Sequence, residues 1–264
     1  MDSNEPIEDF QPETIKFERQ GGIGIVTLNR PHRLNALNLQ MVRELRRVVD
    51  YVERDDTMLV LIFTGAPRPD GRPCFCVGAD MTEFKEANPM LEGTALTNKI
   101  GMFLKPTVAV IDGTCTAGGM ELAEICDLRL VAETAQISDV HLKNNLMGLG
   151  GWGASTYLPR IVGQAKAKEM ILTGMVIDGR EAWRIGFANR VFPAAELMSG
   201  AIALAEQIAQ MHPKGVKITL AHIKLAADMT TDQSLRWAQT VPSLFGGRPK
   251  LAAWKERKPT GKNE

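Results

Sequence analysis

TVAVIDGTCTAGGMELAEICDLRLVAE, residues 107–133, is the stretch that decides how this chain folds. Its apolar ends, TVAVI (107–111) and DLRLVAE (127–133), predict two buried strands. A turn at Asp112-Gly113 and a helix opening near Gly118 separate them. Strands that read as continuous apolar runs and alternate with helices are those of an α/β core with parallel crossovers. Two features sit awkwardly inside it. Paired glycines, Gly118-Gly119, weaken a helix. Glu121 places a carboxyl among Met120, Leu122 and Ala123. A helix N-terminus offers unpaired N–H groups and the positive end of a dipole, and glycine lets a ligand approach the backbone. Those are the parts of an oxyanion hole, in which N–H donors face an oxygen that gains charge. The plain alternative is that the glycines allow tight helix packing and Glu121 caps the first turn.

Outward from this stretch, TIKFE (14–18) and IGIVTL (23–28) predict a hairpin turning at Gln20-Gly21-Gly22. Asn38 is placed to cap a helix running to about Arg54, with Met41, Val42, Leu45, Val48, Val49 and Val52 at helical spacing. MLVLIFT (58–64) predicts a buried strand, 66–80 a long Pro/Gly-rich loop, and 90–104 a helix. From about Trp152 the chain reads as mostly helical, at 164–173, 179–185, 194–211, 214–227 and 231–244. The reading is an α/β core over 1–195 and a C-terminal helical region over 196–264.

Bulk properties remove several classes of function. Lys+Arg and Asp+Glu both total 31, so no global charge favours nucleic acid or an anionic membrane. No stretch approaches the about 18 consecutive apolar residues of a membrane helix. The acidic N-terminus, MDSNEPIEDFQPE, lacks the layout of a secretory or transit signal. Cys74, Cys76, Cys115 and Cys126 form no CxxC pair and have no His-rich partner segment at zinc spacing, which predicts free thiols, a reducing cytoplasmic setting and no metal.

A second small-residue turn, CFCVGAD (74–80), follows the strand MLVLIFT and can offer a second backbone N–H. With IVTLNRPHRLNALN (25–38), KPTVAVIDGTCTAGGMELAEICDLRLVAETAQ (105–136), LPRIVGQAKAKEMILTG (158–174) and AAWKERKP (252–259), this sequence resembles the crotonase (enoyl-CoA hydratase/isomerase) superfamily from about Ile15 to the tail. The resemblance implies an α/β fold, the crotonase (ClpP/crotonase-like) spiral of β-β-α units, with a C-terminal helical region over 196–264 that mediates trimers or hexamers. It also implies an acyl-CoA thioester substrate, no cofactor other than the coenzyme A of that substrate, and hydration of a 2-enoyl-CoA. Carried over by position, it puts oxyanion-hole amides on Ala79 and Gly118 and an acid/base on Glu121. Coenzyme A contacts fall on Asn35, Ala36, Leu37, Val77, Asp80 and Met81, with Arg33 and the basic tail near its phosphates.

One stretch departs from the family pattern. Where hydratases carry a second glutamate in A-Q-F-G-x-P-E, this chain reads AQISDVH (135–141), placing His141 there. The following segment is longer than usual, and counting back from Leu158 puts Lys143 at the position instead. AQISD anchors the register, which favours His141. A histidine near its unperturbed pKa of about 6.5 is a competent acid/base, and Asp139 is a neighbouring carboxyl that could turn inward. Loss of the second glutamate also keeps open isomerisation, decarboxylation, thioester hydrolysis, or a weakly catalytic CoA-binding scaffold. Gly148-Leu-Gly150-Gly-Trp-Gly153 satisfies GxGxxG but lacks a preceding strand, so it reads as a loop shaping the acyl pocket with Trp152 as a wall.

Overall fold

Strands buried on both faces account for the continuous apolar runs. The computed structural model describes residues 10–82 and 89–244. The described elements are β1 (Ile15–Gln20), β2 (Ile23–Leu28), α1 (Leu39–Arg54), β3 (Val60–Gly65), β4 (Cys74–Cys76), α2 (Pro89–Met102), β5 (Thr107–Ile111), β6 (Thr114–Thr116), α3 (Gly118–Ile125), β7 (Leu128–Ala132) and β8 (Gln136–Ser138). They continue through α4 (Ala154–Val162), α5 (Gln164–Thr173), α6 (Gly179–Arg184), β9 (Arg190–Phe192), α7 (Ala194–Ala209), α8 (Pro213–Ala226) and α9 (Thr231–Leu244).

One sheet has the order β1-β2-β3-β5-β7-β9, antiparallel only within the β1–β2 hairpin. Alternate residues serve its two faces. Val60, Ile62, Val108, Val110, Leu130 and Ala132 join Leu197, Ala201 and Ala205 of α7 in one apolar cluster. Leu61, Phe63, Ala109, Ile111 and Val131 join α1 and the interior in the other. The period of two along each strand is thereby satisfied with apolar residues on both sides. α1 turns Met41, Leu45, Val48, Val49 and Val52 inward, and its N-cap is as read: Asn38 Oδ1 accepts from the Met41 amide at 2.9 Å. Such a cap is worth about 1 kcal/mol.

The sequence reading missed the second sheet, β4-β6-β8, which is parallel throughout and made of three-residue strands. Segments this short carry no usable periodicity; β4 lies inside the expected 66–80 loop. Each of β3-β4-α2 and β5-β6-α3 contributes one strand to each sheet and then a helix, and β7-β8 repeats the strand pattern. This is the expected α/β spiral of β-β-α units. α4 and β9 were also missed.

The chain divides into compact units after Pro213, later than the 195/196 boundary read from the sequence. The physical reason is α7, whose Leu197, Ala201 and Ala205 are buried against the large sheet and bind that helix to the core. In the second unit α8 and α9 meet through His222 and Trp237, stacked with ring centroids 4.7 Å apart. His222 Nε2 also lies 3.0 Å from Ser234 Oγ, a structural role for this histidine. The basic tail from Lys250, including AAWKERKP, lies outside the described residues. No helix among the described residues is long and apolar enough to cross a membrane.

Candidate active site

The three strands of the small sheet end side by side, and each releases one piece of the site. The register pairs Cys76 with Cys115 and Thr116 with Ser138. Ala79 follows β4, Gly118 follows β6, and Asp139 and His141 follow β8. Convergence at the carboxyl ends of parallel strands is where α/β folds place their ligands.

The amide pair comes from two local devices. Leu37 donates to the Gly78 carbonyl at 2.8 Å and accepts from the Asp80 amide at 2.9 Å, so the parallel ladder spends the residues flanking Ala79 and leaves its N–H facing away. Ala117, at φ 48° and ψ −126°, turns the chain sharply before α3, so that Gly118 begins the helix with its amide outside the intrahelical ladder. A Cβ on Gly118 would lie 3.3 Å from the Ala79 nitrogen, which places the two amides side by side. The same Cβ would lie 2.5 Å from Cζ3 of Trp152, whose indole covers this spot. Gly78, at φ +106°, is needed too, because a side chain there would meet the Gly118 nitrogen at 2.8 Å. Gly119 serves packing alone: a Cβ there would lie 2.3 Å from the Cys76 carbonyl oxygen.

Glu121 lies in the first turn of α3, 2% exposed. Its Oε1 accepts from the Trp152 amide at 2.9 Å and the Ala154 amide at 3.1 Å. The GxGxxG segment is therefore the loop that holds this carboxylate. Oε2 faces His141 Nε2 at 3.8 Å. That separation is too long for a direct hydrogen bond, yet one water or substrate atom can touch both groups. On its other side the imidazole meets Asp139, with Nδ1 2.9 Å from Oδ1. Burial raises the Glu121 pKa, while the Ala154 amide, the His141 charge and the Trp152 amide pull it back. His141 is held above its ordinary value, first by the Asp139 hydrogen bond and then by the charges of Asp139 and Glu121, against the opposing effect of burial. The structure brings His141 to Glu121. The exposed Lys143 instead reaches toward Gly174, where an added Cβ would meet its Cε at 2.8 Å.

The remaining sequence candidates sort by how their polar atoms are used. The Asn35 side chain, expected to contact coenzyme A, is fully buried and consumed by the backbone. Its Nδ2 donates to Ala66 O (2.8 Å) and Cys74 O (2.9 Å), and its Oδ1 accepts from the Arg30 amide (3.1 Å). Asp80 is likewise occupied. Its Oδ2 pairs with Arg30 Nη1 at 2.8 Å, and its Oδ1 accepts from Thr82 Oγ1 at 2.7 Å. These two side chains fasten the Ala79 loop. Ala36 and Leu37 are buried, Val77 is half-buried, and Arg33 and Met81 are exposed near the loop. Cys76 and Cys115 are buried, and burial pushes the Cys76 thiol up to about 12, which suits a filler and not a nucleophile.

Sequence reasoning passed over Glu124, one helical turn beyond Glu121. It is buried, and neither carboxyl oxygen has a hydrogen-bond partner. Burial, then the charges of Glu121 and Asp139, hold its pKa well above the ordinary glutamate value. Its i, i+3 spacing from Glu121 was the available signal. No cluster among the described residues could hold a metal ion.

The family model described as enoyl-CoA hydratase/isomerase matches residues 18–251. The chain is 34% identical over 230 residues to the short-chain-enoyl-CoA hydratase of Clostridium acetobutylicum, covering 84% of this chain and 85% of that protein. It is 31% identical over 230 residues to the (E)-benzylidenesuccinyl-CoA hydratase of Thauera aromatica, covering 85% and 87%. A solved enoyl-CoA hydratase from Bacillus anthracis superposes with a TM-score of 0.85 at 27% identity, covering 96% of this chain and all of that one.

Proposed function

The chain belongs to the enoyl-CoA hydratase/isomerase family, and from that premise we infer that it is an enoyl-CoA hydratase, adding water across the 2,3 double bond of an enoyl-CoA thioester. The observation that carries the assignment of roles is the convergence of two amides, Ala79 and Gly118, with the Glu121–His141 pair at the ends of one small sheet.

In this reading the thioester oxygen accepts hydrogen bonds from the Ala79 and Gly118 amides. Glu121 Oε2 takes a proton from water as its oxygen bonds to C3, and the electron pair of the double bond moves onto the thioester oxygen as an enolate. Doubly protonated His141 then delivers its Nε2 proton to C2 and is left neutral with its hydrogen on Nδ1, the enolate collapses, and the proton on Glu121 passes back to His141 Nε2. One H and one OH have been added, and the pair has recovered its starting state. Two opposed acid/base groups holding one proton between them are what hydration requires, and the proximity of the pair favours hydration over isomerisation, for which one group suffices. The chemistry calls for no metal or redox cofactor, because coenzyme A arrives within the substrate.

Backbone of the Asn35-Ala36-Leu37 segment, together with Arg33, Val77 and Met81, is proposed to line the coenzyme A path, with Trp152 bounding the acyl group. Residues 196–264 are proposed to mediate a homotrimer or homohexamer; Ile223 and Leu235, exposed by 64% and 57%, support this. The four buried free thiols support a cytosolic setting. Mixing the protein with crotonyl-CoA should remove the conjugated-enoyl absorbance and yield 3-hydroxybutyryl-CoA. Intact CoA binding without turnover on enoyl thioesters of several chain lengths would show a binding or scaffold member instead.

A further inference from the structure

Asp139 is placed in an unusual way for a buried acidic residue. It is 1% exposed, and Oδ1 receives both the His141 backbone N–H at 2.9 Å and the ring Nδ1 at 2.9 Å. Oδ2 is buried and has no hydrogen-bond partner. Both hydrogen bonds of this carboxyl therefore go to one residue. An orphaned polar atom is costly, and what Asp139 gains in exchange is confined to the backbone and ring of His141. Here the backbone bond closes a two-residue turn, and the ring bond adds a second tie that fixes the side-chain torsions of His141. Because an ionised carboxyl only accepts, its partner nitrogen Nδ1 must carry a hydrogen. That leaves Nε2 directed at Glu121.

We propose that Asp139 is the positioning residue of the hydration site: it selects the Nδ1–H tautomer of His141, aims Nε2 at the water or substrate atom shared with Glu121, and holds the ring ready to exchange a proton there. The proposal rests on the role given to His141 above. The charged groups facing the ring are Asp139 on one side and Glu121 on the other. Glu124, in the interior of α3, is itself raised by burial and then by the charges of Glu121 and Asp139, and Lys143 is exposed and turned toward Gly174.

The test uses the whole protein, crotonyl-CoA as substrate, and 15N-histidine NMR of the ring nitrogens. The chain has four histidines, and the His141 signals are those lost in His141→Ala. In the wild-type protein the neutral His141 ring is expected to carry its hydrogen on Nδ1. Asp139→Asn is expected to lower kcat about 10²-fold, within the range for a disturbed general acid/base, with KM essentially unchanged. The same change should move the His141 limb of the pH–rate profile to lower pH, since it removes the largest influence holding that ring protonated, and should mix the two tautomers. A wild-type Nε2–H tautomer would overturn the proposal without any variant. So would an Asp139→Asn protein that keeps the wild-type pH profile. If His141→Ala retains full turnover, the role assigned to His141 falls, and this proposal with it. If His141→Ala is inactive while Asp139→Asn behaves as wild type, only the proposal about Asp139 falls.

Discussion

Replacing Glu124 with methionine should stabilise the protein, and more so as pH rises. Glu124 is 4% exposed, and both carboxyl oxygens are buried without partners. The nearby guanidinium of Arg129 does not relieve them, because its hydrogen bonds go to the carbonyls of Phe187, Ala123, Glu124 and Cys126. A buried unsatisfied polar group costs about 1–3 kcal/mol even when neutral. Methionine has similar length and fills irregular apolar space. At about 2–4 °C per kcal/mol for a chain of this size class, the gain corresponds to a Tm rise of about 2–12 °C. The pH dependence follows from linkage. The folded pKa of Glu124 lies well above the unfolded value near 4.5, so above that value the folded state binds more protons than the unfolded one. Its contribution to stability therefore declines as pH rises from 4.5 through the folded pKa, by at most about 1.4 kcal/mol per pH unit. Thermal melts of both proteins followed by circular dichroism from pH 5 to 9, a range suggested by that linkage, should show a gap that widens with pH. A variant less stable than wild type, or a gap that stays constant, would mean that Glu124 is ionised and satisfied in the folded protein. Crotonyl-CoA turnover should survive the change, since Glu124 touches neither amide of the proposed oxyanion hole nor the Glu121–His141 contact.

Glu121→Gln should lower kcat by about 10²–10⁴-fold while leaving substrate affinity near wild type. Its amide oxygen can still accept from Trp152 and Ala154, so the loop keeps its anchor, and kcat near wild type would remove Glu121 from the mechanism. Gly118→Ala drives a methyl to 2.5 Å from Trp152 and 3.3 Å from the Ala79 nitrogen. The indole must shift beside the amides, with a loss of about 10²–10³-fold in kcat, as for one missing oxyanion donor, and a change in tryptophan fluorescence. Unaltered kinetics would place the thioester elsewhere. Asn35→Ala strips the donors from Ala66 O and Cys74 O and puts alanine at φ 55°, so Tm should fall by the equivalent of at least about 2 kcal/mol; an unchanged melt would refute the fastening role. The kcat/KM profile should be bell-shaped. Its acid limb should lie above the ordinary glutamate range, because Glu121 is raised, and its alkaline limb above 6.5, because His141 is raised. A profile flat across both limbs would exclude this pair.

Much of the protein could be read from residue order. Long apolar runs specify β3, β5 and β7 because a strand between two packed layers must be apolar on both faces, and the spacing of α1 and its Asn38 cap are local signals. The motif around Gly118 and Glu121 is contiguous, so the chemistry proposed for it was legible as well. What the sequence could not supply was anything created by pairing across distance. The strands β4, β6 and β8 are three residues each, too short to show a period, and they exist because the spiral lays their segments edge to edge. That small sheet decides which of His141 and Lys143 meets Glu121, because it sets where Asp139 leaves β8 and hence which way the ring is tied. Tertiary contacts also tie the Asn35 side chain to the backbone and Asp80 to Arg30, at positions where the family resemblance implied contacts with coenzyme A. Burial also sets the condition of Glu124, since a carboxyl on a helix turn loses its partners and has its pKa pushed up only when layers from elsewhere in the chain close over it. Local sequence thus determined the long elements and the residues to which the chemistry is assigned. The packing of distant segments decided which side chains meet and in which direction their pKa values move.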